Sequence, residues 1–117
     1  EPLMQASADG RGFASSGGVA SAVVNAIRRM EPNREVKVVS AEGLANCKKM
    51  LQLAKAGKYN GYLLEGMACP GGCIAGAGTI QPIKKTAASL EQMKKQAPFE
   101  ESMDTVYDAM LPILEKL

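Results

Sequence analysis

Val19, Ala22, Val23, Ala26, Ile27 and Met30 recur at intervals of three and four, the period of an α-helix with one apolar stripe. Ser15 and Ser16 followed by Gly17 and Gly18 supply a start for it, and Pro32 closes it. The pattern then changes. Glu35 to Ser40 carries Val36, Val38 and Val39 among polar residues, which predicts a short strand because β-branched side chains suit a pleated surface. Leu44, Cys47, Leu51 and Ala54 return to the helical period and predict a second helix ending near Gly57. Tyr59 to Glu65 reads as a second strand. A helix between two strands makes a βαβ unit, whose strands pair in parallel with a right-handed crossover. The predicted fold class is therefore α/β, a small parallel sheet flanked by helices.

Outside this unit the periodicity is weaker. Glu1 to Gly12 contains Pro2, Asp9, Gly10 and Gly12 and predicts an extended lead-in. A glycine-rich loop runs from beyond Met67 to about Pro82, followed by a polar helix from Thr86 to Gln96 that breaks at Pro98. Met103, Val106, Met110, Ile113 and Leu117, with Tyr107 and Leu114 beside them, predict a last helix that packs its stripe inward and is kinked at Pro112. A sheet of only two strands leaves unpaired edge groups that a complete protein normally covers, so a partner segment is expected.

The chain has 117 residues, 46% of them apolar and 22% charged, which suits a single folded domain over residues 1–117 with one modest core. A net charge of +2, spread along the chain, gives no electrostatic footprint for nucleic acid or an anionic membrane. No apolar run approaches the ~20 residues a bilayer span needs, and the expected compartment is cytoplasmic. The chain begins at Glu1 rather than Met, which suggests excision from a longer protein.

There is no histidine, so the commonest metal ligand and the usual acid–base group near neutrality are both missing. Chemistry here has to lean on sulfur. The three cysteines, Cys47, Cys69 and Cys73, are an odd number in a chain without extracellular character, which favours free or metal-bound thiols over a disulfide framework. Cys47 lies on the stripe of the second predicted helix and reads as a small buried hydrophobe.

Cys69 and Cys73 differ. They flank Pro70, Gly71 and Gly72 directly after a predicted strand, where ligand sites of open α/β sheets occur. Two glycines and a proline between two thiols let the backbone fold back so that both sulfurs face one metal centre. Gly71, Gly72, Gly76 and Gly78 also strip side chains from the loop, so that backbone amides can approach and donate to inorganic sulfide. The competing reading is a tight loop with incidental thiols. A phosphate-binding loop fits poorly without its Lys-Ser/Thr ending, and a zinc ribbon wants two C-x-x-C pairs.

Met67-Ala68-Cys69-Pro70-Gly71-Gly72-Cys73 resembles the third cluster-binding motif of iron-only (FeFe) hydrogenases. Phe13-Ala14-Ser15-Ser16-Gly17-Gly18-Val19 is similar to the same family's Phe-Gly-x-x-Gly-Gly-Val helix start. Gly43-Leu44-Ala45-Asn46, with Lys48 and Leu51, resembles its strand-to-helix junction. The resemblance covers residues 13–82 well and the tail loosely. It implies an active-site H-cluster, in which a four-iron cubane (4Fe-4S) held by four cysteines shares one of them with a two-iron subcluster. Cys69 would then bind the cubane and Cys73 would bridge it to the two-iron unit. Met67 would pack beside that unit's dithiolate, and Gly71 and Gly72 would border the cofactor. The implied parent reaction is the reversible combination of two protons and two electrons into dihydrogen, with ferredoxin as electron partner.

A cubane takes four thiolates, and the motif offers Cys69 and Cys73 only. This chain is therefore expected to supply part of a cluster site completed by upstream segments of the parent, to hold no cluster alone and to be inactive alone. Where family members continue Gly-Gly-Gly-Gln-Pro, this chain has Gly76-Ala77-Gly78-Thr79-Ile80 before Gln81-Pro82, the mark of a divergent branch. A turnover hydrogenase, a hydrogen sensor and an iron–sulfur assembly relative all stay open, beside a stand-alone iron–sulfur carrier and a purely structural domain. Without metal, the glycine-rich loop from Ala68 to Ile80 is expected to be mobile, and a Cys69–Cys73 disulfide is conceivable in air.

Overall fold

The computed structural model describes residues 6–104, 111–114 and 116. Strand β1 (Lys37–Glu42), helix α3 (Leu44–Lys55) and strand β2 (Tyr62–Met67) form the βαβ unit, with β1 and β2 paired in parallel from Lys37 opposite Tyr62 to Glu42 opposite Met67. The architecture is α/β, as the alternating periods predict. Each strand lies two or three residues later than its apolar pattern suggests, because the polar residues Glu42 and Glu65 are paired in the ladder rather than ending it. Within the described residues the sheet has two strands and both outer edges are unpaired.

Helix α2 (Gly18–Met30) covers one face of the sheet and α3 lies against the other. Ala20, Ala22 and Val24 of α2 are buried, because the helix is packed both on β2 and on the short helix α1 (Ala8–Arg11). Small residues let it approach both. Val23 and Met30 sit at the rim, Met30 at 72% exposure.

On α3 the inward stripe keeps Cys47 and Ala54 of the expected one but takes Met50 and Leu53 in place of Leu44 and Leu51, which are 74% and 60% exposed. The Leu-based pattern and the Met50-based pattern both satisfy a helical period. The sheet selects the second, since Met50 reaches Gly66 on β2, where no side chain stands in the way.

The lead-in is helical rather than extended over Ala8–Arg11, followed by a 3₁₀ turn at Gly12–Ala14. Ser7 caps it by accepting the Gly10 N–H at 3.0 Å, and backbone bonds from Ala8 to Phe99 and from Asp9 to Glu100 hold it to the far end of the chain. Helix α4 (Ile83–Lys95) begins earlier than its polar pattern suggests, immediately after Pro82. It packs on α1 and on a 3₁₀ turn at Cys73–Ala75. Of the expected last helix, Leu111–Leu114 is helical and forms α5, whereas Met103 lies in a turn. Met103 and Ile113 are exposed rather than packed inward. Val106, Tyr107, Met110 and Leu117 lie outside the described residues, and Pro112 sits within the single turn of α5.

Candidate metal centre

The cysteine loop leaves β2 at Met67 and closes at once. Gly72 donates its N–H to the Cys69 carbonyl at 3.0 Å, with Gly71 at φ 86° and Gly72 at φ 88°, a region only glycine occupies without strain. The 3₁₀ turn at Cys73–Ala75 follows, and the Gly76 N–H bonds back to the Cys73 carbonyl at 3.1 Å. A Cβ at Gly76 would stand 3.2 Å from the Cys69 sulfur and 3.3 Å from the Cys73 carbonyl oxygen. The chain thus curls over the Cys69 thiol at a residue that has no side chain to obstruct it. Cys69 is half-buried, Cys73 is exposed, and both are free thiols.

A second segment supports this loop. A Cβ on Gly72 would fall 2.6 Å from the Ala14 carbonyl oxygen and 2.6 Å from the Ser16 nitrogen, so Gly72 lies flat on the backbone of the turn that opens α2. That turn is itself closed by glycine: a Cβ at Gly18 would stand 1.9 Å from the Gly12 carbonyl oxygen. The carboxylate of Glu42, at the end of β1, accepts the Gly71 N–H at 2.9 Å. The Ser16 hydroxyl, first, and the Gly71 N–H, second, hold the Glu42 carboxyl below its ordinary range. The glycine content predicts a loosely held loop; the structure gives it these fixed points.

Met67 is half-buried at the end of β2, in an apolar groove with Val19 and Val23 of α2. Gly43 donates its N–H to the Met67 carbonyl at 2.8 Å, which joins the start of α3 to the start of the cysteine loop. Cys47 points to this junction from the α3 side. Its sulfur lies 3.5 Å from the Ala41 carbonyl oxygen and 3.6 Å from that of Met67, as expected of a packed thiol with weak backbone acceptors. Among the described residues, no three or more of His, Cys, Asp and Glu converge on a point that could hold a metal ion.

Cys69 and Cys73, with Gly71, Gly72 and Gly76 around them, fit an iron–sulfur centre as part of a ligand set. Thiolates are its ligands, and a loop without side chains admits its inorganic sulfur. Two carboxylates escape the sequence reading. Glu42 is one. Glu65 is the other: buried on β2, it accepts the Ala20 N–H and the Ser40 hydroxyl, each at 3.1 Å. The signal was a charged residue inside the apolar run Leu63-Leu64-Glu65-Gly66-Met67, where burial demands a partner.

The family model of the iron only hydrogenase large subunit, C-terminal domain, matches residues 1–77. Over 93 residues the chain is 34% identical to a probable cytosolic Fe-S cluster assembly factor of Aedes aegypti, a match covering 70% of this chain and 20% of that protein. A protein of the same description from Culex quinquefasciatus is 33% identical over 93 residues. One from Drosophila mojavensis is 36% identical over 69 residues, covering 54% of this chain and 14% of the relative. The chain thus spans a fifth or less of the length of these curated relatives. Among the described residues no helix is long and apolar enough to cross a membrane.

Proposed function

Since the chain belongs to the family of the iron only hydrogenase large subunit, C-terminal domain, we propose that it is a ligand-donating domain in which Cys69 and Cys73 bind iron of a cluster shared with other segments of a parent protein. The observation that carries this reading is the pair of free thiols on a glycine-lined loop at the end of β2, with Gly76 folded against the Cys69 sulfur. Cys69 would hold iron of a four-iron cubane, and Cys73, the more exposed of the two, would be the thiolate it has in common with a two-iron unit. Met67 lies at the neck of the loop and faces the apolar groove with Val19 and Val23, so it supplies an apolar wall. Gly71 and Gly72 would border the cofactor, with Gly72 seated against the Ala14–Ser16 backbone.

When bound, an iron–sulfur centre of this kind supplies an electron couple whose potential depends on thiolate ligation, neighbouring N–H groups and solvent exposure. The residues of this chain present sulfur, hold the loop at Gly71 and Gly72, and keep side chains away from the metal face. In the parent, the reading assigns reversible dihydrogen formation, with ferredoxin as electron partner and upstream segments of the parent as source of the remaining ligands. A second reading, iron–sulfur cluster assembly without hydrogen turnover, is favoured by the similarity to probable cytosolic Fe-S cluster assembly factors.

Anaerobic iron–sulfur reconstitution of the full-length parent tests the shared claim. Cys69→Ala and Cys73→Ala should each lower bound iron and change the cluster's electron paramagnetic resonance spectrum, while Cys47→Ala should change neither. Normal iron content after removal of both loop thiols overturns the proposal. Hydrogen evolution from reduced ferredoxin by the wild-type parent, purified anaerobically from its own cells with its metal centre in place, separates the two readings.

A further inference from the structure

We propose that Glu42 is the positioning residue of the cysteine loop: its carboxylate ties the end of β1 to the backbone of Gly71 and so sets where Cys69 and Cys73 present their sulfurs. The consequence for a cluster rests on the iron–sulfur reading above. The tie itself rests on geometry alone.

Gly71 is the midpoint of the loop, two residues from each cysteine. It is also the residue least able to hold itself, because glycine loses the most backbone entropy on ordering. The Glu42 carboxylate accepts its N–H at 2.9 Å. Glu42 does not move freely. It is the last paired residue of β1, opposite Met67, the last residue of β2. Its carbonyl accepts the Asn46 side-chain amide at 2.9 Å, which fixes its backbone to the first turn of α3. Among the described residues the cysteine loop is held by its own strand at Met67, by the contact of Gly72 with Ala14–Ser16, by the packing of α4 on Cys73–Ala75 and by the Glu42 carboxylate. The last is a side-chain tie that can be removed without altering backbone.

A charge-assisted hydrogen bond to a backbone N–H is among the stronger polar contacts, and holding the midpoint of a five-residue segment restricts both ends. The proposal is specific about chemistry: what matters is an oxygen acceptor at the end of a Glu-length side chain.

Hydrogen exchange in peptides spanning 68–76 of the full-length protein, in its apo form, reads the tie directly. Glu42→Ala and Glu42→Asp, the latter keeping the charge but falling one methylene short, should speed exchange at Gly71 and Gly72 by about tenfold. Glu42→Gln keeps an oxygen acceptor in place and should stay within about threefold of wild type. Exchange at Met50 and Leu64 should be unchanged in all three, which separates a local release from global unfolding. If Glu42→Ala does not fold, the Asp and Gln variants decide by themselves. After reconstitution, the Ala and Asp variants should broaden the cluster's resonance spectrum, with Gln restoring the wild-type line. Equal protection of Gly71 in all four proteins overturns the proposal. Faster apo exchange in the Ala and Asp variants of a protein that takes up no iron leaves the tie standing and removes the iron–sulfur reading. Iron uptake with unmoved exchange does the reverse.

Discussion

The carboxylate of Glu65 accepts the backbone N–H of Ala20 at 3.1 Å across the space between β2 and α2. Ala20 is the third residue of α2, one of the first-turn residues whose N–H groups have no partner within the helix. The helix start at Gly17 offers no side-chain cap. Glu65 fills that role from another element, its negative charge facing the positive end of the helix dipole. Its second oxygen accepts the Ser40 hydroxyl on β1 at 3.1 Å, so one buried side chain joins both strands to the helix that supports the cysteine loop. Glu65→Ala should cost about 2 kcal/mol or more, since removing a hydrogen-bonded charge leaves a buried N–H unmet. Glu65→Gln should cost roughly half as much, because its oxygen can still serve Ala20 and the Ser40 hydroxyl can turn to accept. Urea denaturation followed by circular dichroism measures both, and equal stability of Glu65→Ala and wild type would contradict the role.

The glycines of the loop should differ in their tolerance of a methyl group. Gly72 combines φ 88° and ψ −171° with a Cβ position 2.6 Å from two backbone atoms. The dihedral alone costs about 1–3 kcal/mol for alanine, and the collision has no flexible side chain to yield. Gly72→Ala should therefore displace the cysteine loop from the Ala14–Ser16 turn. Gly78 has φ 87° but nothing within 4 Å of its Cβ position. Gly78→Ala should cost only the backbone strain, about 1–2 kcal/mol. Thermal melts of the two variants, with exchange protection across 12–18, test the ranking.

Thiol reactivity should follow exposure. Cys73 is exposed, Cys69 is half-buried against Gly76, and Cys47 is half-buried with its sulfur over the carbonyls of Ala41 and Met67. Accessible thiols react first when nothing else distinguishes them. Iodoacetamide under native, reducing conditions should label Cys73 fastest and Cys47 slowest, as read by mass spectrometry of the peptides. Faster labelling of Cys47 than of Cys73 would mean that the βαβ unit opens more readily than the loop.

The segment after α4 should loosen in acid. Arg29 on α2 donates to the carboxylates of Asp104 and Glu101. The Arg29 guanidinium, first, and the Glu101 N–H, second, hold the Asp104 carboxyl below its ordinary range. A lowered carboxyl stabilises the fold above the unfolded-state range and loses that contribution as pH falls through its folded value. Exchange in residues 97–104 should thus accelerate below about pH 4, ahead of α3. Asp104→Asn should abolish that acid-induced step. The pair is exposed, so added salt should weaken it at neutral pH as well.

Periodicity in the chain was enough to determine the α/β class, the parallel βαβ unit and the loop that carries Cys69 and Cys73, because apolar spacing and glycine placement are local properties that survive without tertiary context. It also determined the reading of Cys47 as a packed thiol. Which of two helical stripes on α3 faces inward was decided only when Gly66 left space for Met50. The capped turn at Ala8–Arg11 depends on Phe99 and Glu100, far along the chain, and no local pattern announces it. The carboxylates divide. Glu42 looks like an ordinary strand charge until the fold brings Gly71 to it, and the apolar run around Glu65 signals burial without naming Ala20 and Ser40, because a hydrogen-bond partner is a property of the packed chain and not of its neighbours in sequence.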